Sequence, residues 1–430
     1  MKILYAVHQF FPERYMGTER YTLALSKQMQ MLGHQVEVLT YQLDGAGGME
    51  PTAEPRILER RFTVERVPVV AWRHRDYDES QLHGVSFRIG DPLFEAALDR
   101  FLEAGGYELV HVLHPMRFTP LVEVAKRRGL PVVLHLTDFW TMCPRGILVR
   151  EGGSLCEGPR GGAACTEVCF ERKHGSALVA RNAAGRRLIE LADVVVAPSR
   201  FLWGMFAEAL GVDTSHFLHR SYGFDFGMLS SRAGRRKVDG TTITFGFLGT
   251  VLPHKGVDVL VKAFRRVDLP HLRLRIYGGY IDHIGYYMQL RALAEGDSRV
   301  TFEGKYEFND VGTILEGLDV VVVPSVWYEN NPLVTGISHA AGVPVIATDL
   351  GGMTEMVHDG VNGLVFPIAD AEALARHIRE LGTDPALVEQ LGRAIDPPPR
   401  IEHDGLELEL VYRDLLDGCD LLVPEPFAER

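Results

Sequence analysis

Long apolar runs, abundant cysteine and an excess of basic charge are all absent from this sequence. No apolar stretch approaches the ~20 residues that a helix needs to span a bilayer. The 430 residues carry 45 basic and 57 acidic side chains, a net charge of −12, so nucleic acid is not expected as the main ligand. Hydrophobic residues make up 46% and charged residues 24%, which excludes a disordered or collagen-like chain. At ~150 residues per domain, the length predicts two or three domains.

The chain also lacks the motifs of three common enzyme classes. It has no Gly-x-Gly-x-x-Gly, no Walker sequence and no His-Glu-x-x-His, so dinucleotide oxidoreduction, P-loop hydrolysis and zinc-peptidase chemistry are not indicated. The opening residues, MKILYAVHQFFPE, alternate like a buried strand and contain no small-residue cleavage site. This pattern favours a cytoplasmic protein.

Two successive series of strands and helices account for most of the pattern. Short β-branched runs separated by helical stretches are typical of parallel sheets that are buried on both faces. The predicted strands are Ile3–Val7, Gln35–Thr40, Leu109–Leu113, Val132–Leu136 and Val194–Ala197 in the first series, and Ile243–Leu248, Leu272–Tyr277, Arg299–Phe302, Val320–Pro324, Val343–Ala347 and Gly363–Phe366 in the second. Arg60–Val70 is a further candidate strand. The predicted fold class is α/β, with two Rossmann-like doubly wound domains facing a cleft.

The weakest part of the pattern is the polar, Arg-rich segment Phe217–Gly240, which is the expected link between the domains. The expected boundaries are 1–220 for the first domain, 143–170 for a cysteine-rich insertion in it, 241–400 for the second domain and 401–430 for a terminal segment. The terminal segment carries a helical pattern at Leu406–Leu416, after prolines that cannot continue a helix.

Three loops follow predicted strands at positions where open α/β sheets bind ligands. In FFPERYMGTER, Gly17 would let a phosphate approach backbone N–H groups, although an ordinary helix N-terminus explains it equally well. In LGTVLPHKG, Lys255 suits a diphosphate, and an exposed loop lysine is the alternative. In PSVWYENNPLVTG, Glu329 and the neighbouring amides suit sugar hydroxyls and phosphate, unless Glu329 caps the next helix.

Four of the five cysteines are crowded into the predicted insertion. Cys143, Cys156, Cys165 and Cys169 are separated by 12, 8 and 3 residues. Four thiolates suit one tetrahedral structural zinc, although the spacing is not that of a zinc ribbon. Unlinked thiols or an adventitious disulfide are the alternatives. Because the Gly-rich insertion has little apolar content of its own, we expect zinc to hold this loop beside Asp138.

Taken together, these segments resemble the family-4 retaining glycosyltransferases of the GT-B fold. The similar segments include FFPERYMGTER, VAPSRF, LGTVLPHKGVDVLVKAF and LRIYGG, and the most specific block is VVVPSVWYENNPLVTGISHAAGVPVIATDLGGMTEMVHDGVNGLVF. The resemblance covers nearly the whole chain. It implies transfer of a sugar from a nucleotide-diphosphate sugar to an acceptor hydroxyl, with retention of anomeric configuration and without a catalytic metal at the diphosphate.

The resemblance also assigns a function to each part of the chain. The second domain would bind the nucleotide sugar, the first would bind the acceptor, and the last helix would return to the first domain. The acceptor would be a carbohydrate, a lipid-linked or a small molecule, with membrane contact at most peripheral.

Position by position, the resemblance assigns roles to individual residues. Lys255 would be the cation on the diphosphate, Glu329 the carboxylate near the sugar, and His114 the catalytic histidine of the acceptor side, with His111 as second choice. The donor-binding positions would be Gly17, Thr250, Gly304, Asn331, Pro332, Leu333 and Ile337, and those on the acceptor side His135 and Asp138.

Three positions depart from the family pattern. Ile337 stands where the second Glu of Glu-x7-Glu usually binds the ribose, Thr250 where an Arg often accompanies the Lys, and Thr137 where a His often precedes Asp138. A charge-assisted hydrogen bond is worth ~1.5–3 kcal/mol, so Ile337 is expected to weaken donor binding on the order of ten- to a hundredfold. A lone Lys255 with helix amides must then neutralise the leaving diphosphate. The alternative is a catalytically degenerate nucleotide-sugar-binding protein or partner subunit, which Ile337 would favour.

Overall fold

The chain divides into two compact units. The structure, a computed structural model, describes residues 1–78, 80, 81, 84, 87–227, 229, 242–280 and 283–419. The first unit comprises Met1–Gly223 and the chain from Ile401 onward, and the second comprises Phe224–Arg400. Much of the expected link (228 and 230–241) and the end of the terminal segment (420–430) lie outside the described residues.

A nine-stranded sheet forms the centre of the first unit. Its strands are β1 (Lys2–Val7), β2 (Gln35–Tyr41), β3 (Glu50–Pro51), β4 (Ile57–Val64), β5 (Val67–His74), β6 (Leu109–Val112), β7 (Val132–His135), β8 (Val194–Ala197) and β9 (Phe217–His219). The order is β3-β4-β5-β2-β1-β6-β7-β8-β9, and every pair from β5 to β9 is parallel. Strands β6, β7 and β8 are buried at every position, as expected for a sheet covered on both faces.

A six-stranded, fully parallel sheet forms the centre of the second unit. Its strands are β10 (Ile243–Leu248), β11 (Leu272–Tyr277), β12 (Val300–Gly304), β13 (Val320–Val323), β14 (Val345–Thr348) and β15 (Gly363–Phe366). The order β12-β11-β10-β13-β14-β15 is that of a doubly wound nucleotide-binding sheet. The predicted class, two Rossmann-like α/β units, is therefore confirmed.

Helices connect the strands in both units. They are α1 (Gly17–Met31), α2 (Pro92–Gly105), α3 (Pro120–Arg127), α4 (Ala163–Val168), α5 (Gly175–Leu191) and α6 (Arg200–Met205) in the first unit, α7 (Val257–Arg265), α8 (Ile284–Leu293), α9 (Val311–Glu316), α10 (Leu333–Ala340), α11 (Met353–Met356), α12 (Ala371–Thr383) and α13 (Pro385–Arg393) in the second, and α14 (Ile401–Asp417), which belongs to the first unit. Local chemistry explains their limits. In α2, for example, the Asp91 side chain accepts the N–H groups of Leu93 and Phe94, and the helix stops at Gly106 in a left-handed conformation.

The single strand predicted at Arg60–Val70 is wrong. This segment spans an antiparallel hairpin of β4 and β5, whose turn residues Glu65 and Arg66 have φ values of 46° and 73°. Turns of this kind are usually marked by Gly or Asn. Here the turn residues are Glu65 and Arg66, so the sequence gives no sign of a turn and the two strands are predicted as one.

Helix α14 packs against α1 in the first unit. A Cβ at Gly405 would lie 2.3 Å from Gln28 Cγ, so only glycine allows this approach. Asp404, the residue immediately before Gly405, is 2% exposed. It accepts hydrogen bonds from Tyr21 Oη at 2.7 Å, Arg220 Nη2 at 3.0 Å and Gly223 N at 2.9 Å. Asp404 thereby fixes the start of α14 to the first unit.

Candidate active site

The carboxyl ends of β10 and β13 bring Lys255 and Glu329 together. Lys255 ends a short 3-10 turn between β10 and α7, and Glu329 lies in the loop between β13 and α10. Lys255 Nζ donates a hydrogen bond of 2.7 Å to Glu329 Oε1. The two loops meet because β10 and β13 are parallel neighbours, which puts their carboxyl ends at one edge of the sheet.

Two further donors converge on the same carboxylate oxygen. Ser325 Oγ donates to Glu329 Oε1 at 2.7 Å and Trp327 Nε1 at 2.8 Å. The Lys255 ammonium also lies 4.8 Å from the centre of the Trp327 ring, within the range of a cation–π contact. Ser325 and Trp327 precede Glu329 by only four and two positions. Neither stands out in the sequence, because the backbone of the loop decides which oxygen they reach.

Glu329 is a buried carboxylate that keeps its charge. The residue is 5% exposed. Burial alone would raise its pKa, but the Lys255 charge and the three hydrogen bonds outweigh burial and hold the pKa of Glu329 below its usual range. The neighbouring His254 lies edge-on to Trp327, with 5.1 Å between ring centres. Burial and the Lys255 charge lower the pKa of His254 to about 4, so this ring is neutral at pH 7.

Two glycines allow the loops around this pair to approach each other. Gly256 has a φ of 66°, and a Cβ there would lie 1.9 Å from the carbonyl oxygen of Pro324. Gly351 has a φ of 65°, and a Cβ there would lie 2.5 Å from the carbonyl oxygen of Glu329. That same carbonyl accepts the N–H of Gly352 at 2.7 Å. The loop after β14 thus braces the backbone of Glu329.

The other predicted donor positions fall in both units. Gly17 begins α1 in the first unit. In the second unit Thr250 follows β10, Gly304 ends β12 with a φ of 79°, Asn331 is buried, Pro332 precedes α10 and Leu333 begins it.

Ile337 is a buried side chain of α10. It is 3% exposed, and the adjacent Gly336 lies so close to Phe224 that a Cβ would be 2.2 Å from the phenyl ring. An introduced carboxylate at position 337 would therefore be buried as well.

A second polar cluster lies at the carboxyl ends of β1, β6 and β7 in the first unit. His114 Nε2 lies 3.2 Å from Asp138 Oδ2, so the structure brings these two predicted residues into contact. The His8 ring packs on the His114 ring with 4.1 Å between centres. Arg117, with a φ of 71°, donates a hydrogen bond of 2.5 Å to the carbonyl of His8. His8 is not marked by any motif, and only the parallel pairing of β1 with β6 places it beside His114.

The loop that carries Asp138 is held from several sides. Asp138 Oδ1 accepts the N–H of Trp140 at 2.8 Å. Gly146 packs against the carboxylate, since a Cβ there would lie 3.3 Å from Asp138 Oδ2. The buried Arg181 donates a hydrogen bond of 2.5 Å to the carbonyl of Trp140 and lies 4.7 Å from its ring. These contacts give the carboxylate a defined direction.

His111 and His135 lie in the interior of the first unit. Their rings stack 5.6 Å apart, and His135 also stacks on Tyr222 at 5.3 Å. His111 Nδ1 is 2.5 Å from Tyr412 Oη on α14. Burial, with a smaller effect of the Arg220 charge, lowers the pKa of His135 to about 3. At 0% and 1% exposure, neither histidine offers a surface to a ligand in this structure.

The four clustered cysteines line one small cavity in the first unit. Cys165 and Cys169 lie one turn apart on α4 and its end, and Cys143 and Cys156 come from the preceding loop. Among the described residues, however, no group of three or more His, Cys, Asp or Glu is arranged to hold a metal ion, so the zinc prediction is not supported. All four are free thiols. Burial and, second, the neighbouring thiols raise the pKa of Cys165 to about 11.

Comparison with known proteins identifies the family. The model described as "Glycosyl transferase 4-like domain" matches residues 16–223, and that described as "Glycosyl transferases group 1" matches residues 242–384. The chain belongs to the family-4 glycosyltransferases. Within the part of this glycosyltransferase that the structure describes, no helix is both long and apolar enough to cross a bilayer.

Curated relatives of this glycosyltransferase match parts of its length. A D-inositol 3-phosphate glycosyltransferase of Kribbella flavida is 30% identical over 40% of this chain and 42% of the relative. A D-inositol 3-phosphate glycosyltransferase of Acidothermus cellulolyticus is 31% identical over 57% of this chain and 60% of the relative. The chain thus spans about two fifths and three fifths of these two relatives.

Solved structures share the fold over nearly the full chain. The sucrose-phosphate synthase of Thermosynechococcus elongatus has a TM-score of 0.72 at 19% identity, covering 97% of this chain and 99% of the other. Anabaena HepE, in complex with UDP and glucose, has a TM-score of 0.66 at 17% identity, again covering 97% and 99%. At such identities the likeness concerns the fold alone.

Proposed function

We propose that this glycosyltransferase transfers a sugar from a nucleotide-diphosphate sugar to an acceptor hydroxyl, with retention of anomeric configuration and no metal ion at the diphosphate. The observation that carries the proposal is the Lys255–Glu329 pair, which holds a cation at the carboxyl edge of a nucleotide-binding type of sheet. The complex of HepE with UDP and glucose supports a uridine diphosphate sugar as donor. The names of the curated relatives support D-inositol 3-phosphate as the first acceptor to try.

Lys255 is the group proposed to neutralise the leaving diphosphate. Negative charge builds up on the diphosphate as its bond to the sugar C1 stretches, and a preorganised cation stabilises that charge. An ammonium has three N–H donors. One is given to Glu329, and the Lys255 side chain is 25% exposed, so the group is both anchored and accessible. Because the interaction strengthens in the transition state, it raises turnover more than ground-state binding.

Other predicted donor positions are proposed to hold the rest of the donor. The segment from Asn331 to Leu333, which leads into α10, would offer the backbone N–H groups of Asn331 and Leu333 to phosphate and sugar oxygens. Gly304 would lie beside the base, and Thr250 and Gly17 beside the diphosphate. Ile337 leaves the ribose without a carboxylate partner, which weakens donor binding but leaves Lys255 and Glu329 in place.

The second candidate is a nucleotide-sugar-binding protein without transfer activity, and Ile337 is the observation that favours it. The Lys255 ammonium, which Glu329 anchors, favours catalysis, because a binding protein has no need to stabilise charge on a leaving group. Nucleotide release distinguishes the two.

The test is nucleotide release from UDP-glucose, UDP-galactose, UDP-N-acetylglucosamine, GDP-mannose and ADP-glucose, with and without D-inositol 3-phosphate. We expect Lys255→Met to lower turnover ~10²–10³-fold. The control is Lys262→Met, which removes an exposed lysine whose partner is Asp258 on the same helix. The anomeric configuration of the product is read by NMR. Turnover of Lys255→Met within a few-fold of wild type would contradict the proposed clamp, and no release from any donor would support the binding-protein alternative.

A further inference from the structure

The hydrogen bonds of His114 determine which of its ring nitrogens carries the proton. Nδ1 accepts the backbone N–H of Met116 at 3.2 Å. A ring nitrogen that accepts a hydrogen bond is unprotonated, so the proton of the neutral ring is on Nε2. Nε2–H therefore donates to Asp138 Oδ2 at 3.2 Å. With both nitrogens engaged, the ring has no lone pair left to take a proton from a substrate.

Only one member of this pair faces outward. The His114 side chain is 2% exposed, whereas the Asp138 side chain is 32% exposed. Trp140 N–H and Gly146 fix the carboxylate from the loop side. A carboxylate has about four lone-pair positions, so one hydrogen bond to each oxygen leaves room for a hydroxyl.

The His114 ring is supported from its other side. The His8 ring lies 4.1 Å away, and His8 Nε2 lies 3.6 Å from Glu19 Oε1. Glu19 is 1% exposed on α1. Burial, together with the Arg117 charge, keeps the pKa of His8 well below its usual range, so a neutral ring packs on His114. The cluster thus fixes the plane of the His114 ring relative to Asp138.

We propose that Asp138 receives the proton of the acceptor hydroxyl and that His114 is a positioning residue, which orients Asp138 and takes up no proton itself. This inference rests on the proposed glycosyl transfer. The bond between the sugar C1 and the diphosphate oxygen breaks, and its electron pair stays on the diphosphate. The acceptor oxygen bonds to C1, and its proton passes to the Asp138 carboxylate. When water takes the place of the acceptor, the same steps hydrolyse the donor.

The experiment compares four variants of the full chain by donor hydrolysis and by UDP binding. The probes are UDP-glucose and the other nucleotide sugars named above, with D-inositol 3-phosphate added for transfer. His114→Gln keeps an N–H donor for Asp138 but has no basic nitrogen, whereas His114→Leu keeps neither. Asp138→Asn removes the proton acceptor. Asp91→Asn is the matched control, because Asp91 forms a similar pair with His74, at 3.1 Å, and caps α2.

We expect Asp138→Asn to lower kcat at least ~100-fold, the usual size of a general-base effect, with UDP affinity unchanged. The kcat of His114→Gln should stay within about fivefold of the wild-type value, whereas that of His114→Leu should fall ~10- to 100-fold. The kcat of Asp91→Asn should be unchanged. Equal kcat in Asp138→Asn and wild type would overturn the role of Asp138. Equal losses in His114→Gln and His114→Leu would overturn the positioning role. A wild-type chain that neither binds UDP nor hydrolyses any donor would instead overturn the proposed function itself.

A spectroscopic measurement tests the same pair without turnover. Long-range ¹H–¹⁵N spectra of the chain labelled at histidine should show His114, assigned by its loss in His114→Gln, with the proton on Nε2 near neutral pH. The Asp138→Ala variant should shift this resonance, whereas Asp91→Asn should leave it unchanged. A proton on Nδ1, or no response to Asp138→Ala, would contradict the geometry on which the inference depends.

Discussion

Removal of the Lys255 ammonium should leave a buried charge without its partner. Lys255→Met keeps most of the side-chain volume but deletes the 2.7 Å hydrogen bond to Glu329. Ser325 and Trp327 still donate to the carboxylate, but both are neutral. The second unit of the variant should therefore be less stable than that of the wild type at neutral pH.

The size of the effect follows from the burial of the pair. Two unit charges at 2.7 Å attract each other by ~6 kcal/mol at an effective dielectric constant of 20, before desolvation is subtracted. Breaking a fully buried ion pair costs ~3–5 kcal/mol. Because the Lys255 side chain is 25% exposed, water reduces this value, and we expect ~2 kcal/mol, or about thirtyfold in the opening equilibrium.

The effect should also depend on pH. The pKa of Glu329 in the wild type is held low, so its stabilising contribution is present above the unfolded pKa of ~4.3 and is lost as the pH falls through the folded value. In Lys255→Met burial dominates and raises the pKa of Glu329. The difference in stability between variant and wild type should thus be largest near pH 7 and shrink below about pH 5.

Hydrogen exchange read by mass spectrometry is the assay, because peptides from 224–400 report on the second unit within the intact chain. The double variant Lys255→Met/Glu329→Gln also removes the unpaired charge of Glu329. Its second unit should be more stable than that of Lys255→Met by ~1 kcal/mol or more. Lys262→Met, at an exposed pair, should change little. Faster hydrogen exchange in the double variant than in Lys255→Met would refute the reasoning. A loss of stability in Lys255→Met that does not depend on pH would refute it as well.

Three further predictions concern stability and reactivity. Gly256→Ala should destabilise the second unit by ~2 kcal/mol or more, seen as a lower thermal midpoint, because its Cβ would lie 1.9 Å from the carbonyl oxygen of Pro324; Gly285→Ala, with no atom within 4 Å, should not. Ile337→Glu should lower the same midpoint, since the carboxylate would be buried, and a larger stabilisation by UDP than in wild type would mark position 337 as a ribose contact. Iodoacetamide at pH 8 should modify Cys165, whose pKa is about 11, at least ~100-fold more slowly than the exposed Cys419, and comparable rates would contradict its burial.

The sequence by itself determined the class of fold and most of the strands. The runs at Ile243–Leu248, Leu272–Tyr277 and Gly363–Phe366 coincide with observed strands, because short and largely apolar runs between helical stretches are typical of a parallel sheet with both faces covered. Lys255 and Glu329 each come shortly after a predicted strand, which placed both in loops at the carboxyl ends of the strands. Ligand sites of such sheets lie at these ends. The motifs also pointed to the family that the family models identify.

Only the tertiary structure decided the contacts between side chains that are distant in sequence. Three donors converge on one oxygen of Glu329, and His114 Nε2 meets Asp138 Oδ2, because neighbouring strands bring separate loops together. Periodicity carries no information on such directions. It also could not distinguish the interior position of His135 from a ligand contact, because a polar residue at a strand end reads the same in both cases. For the same reason four clustered cysteines predicted a zinc site, whereas the placement of their sulfurs, set by α4 and the loop before it, does not form one among the described residues.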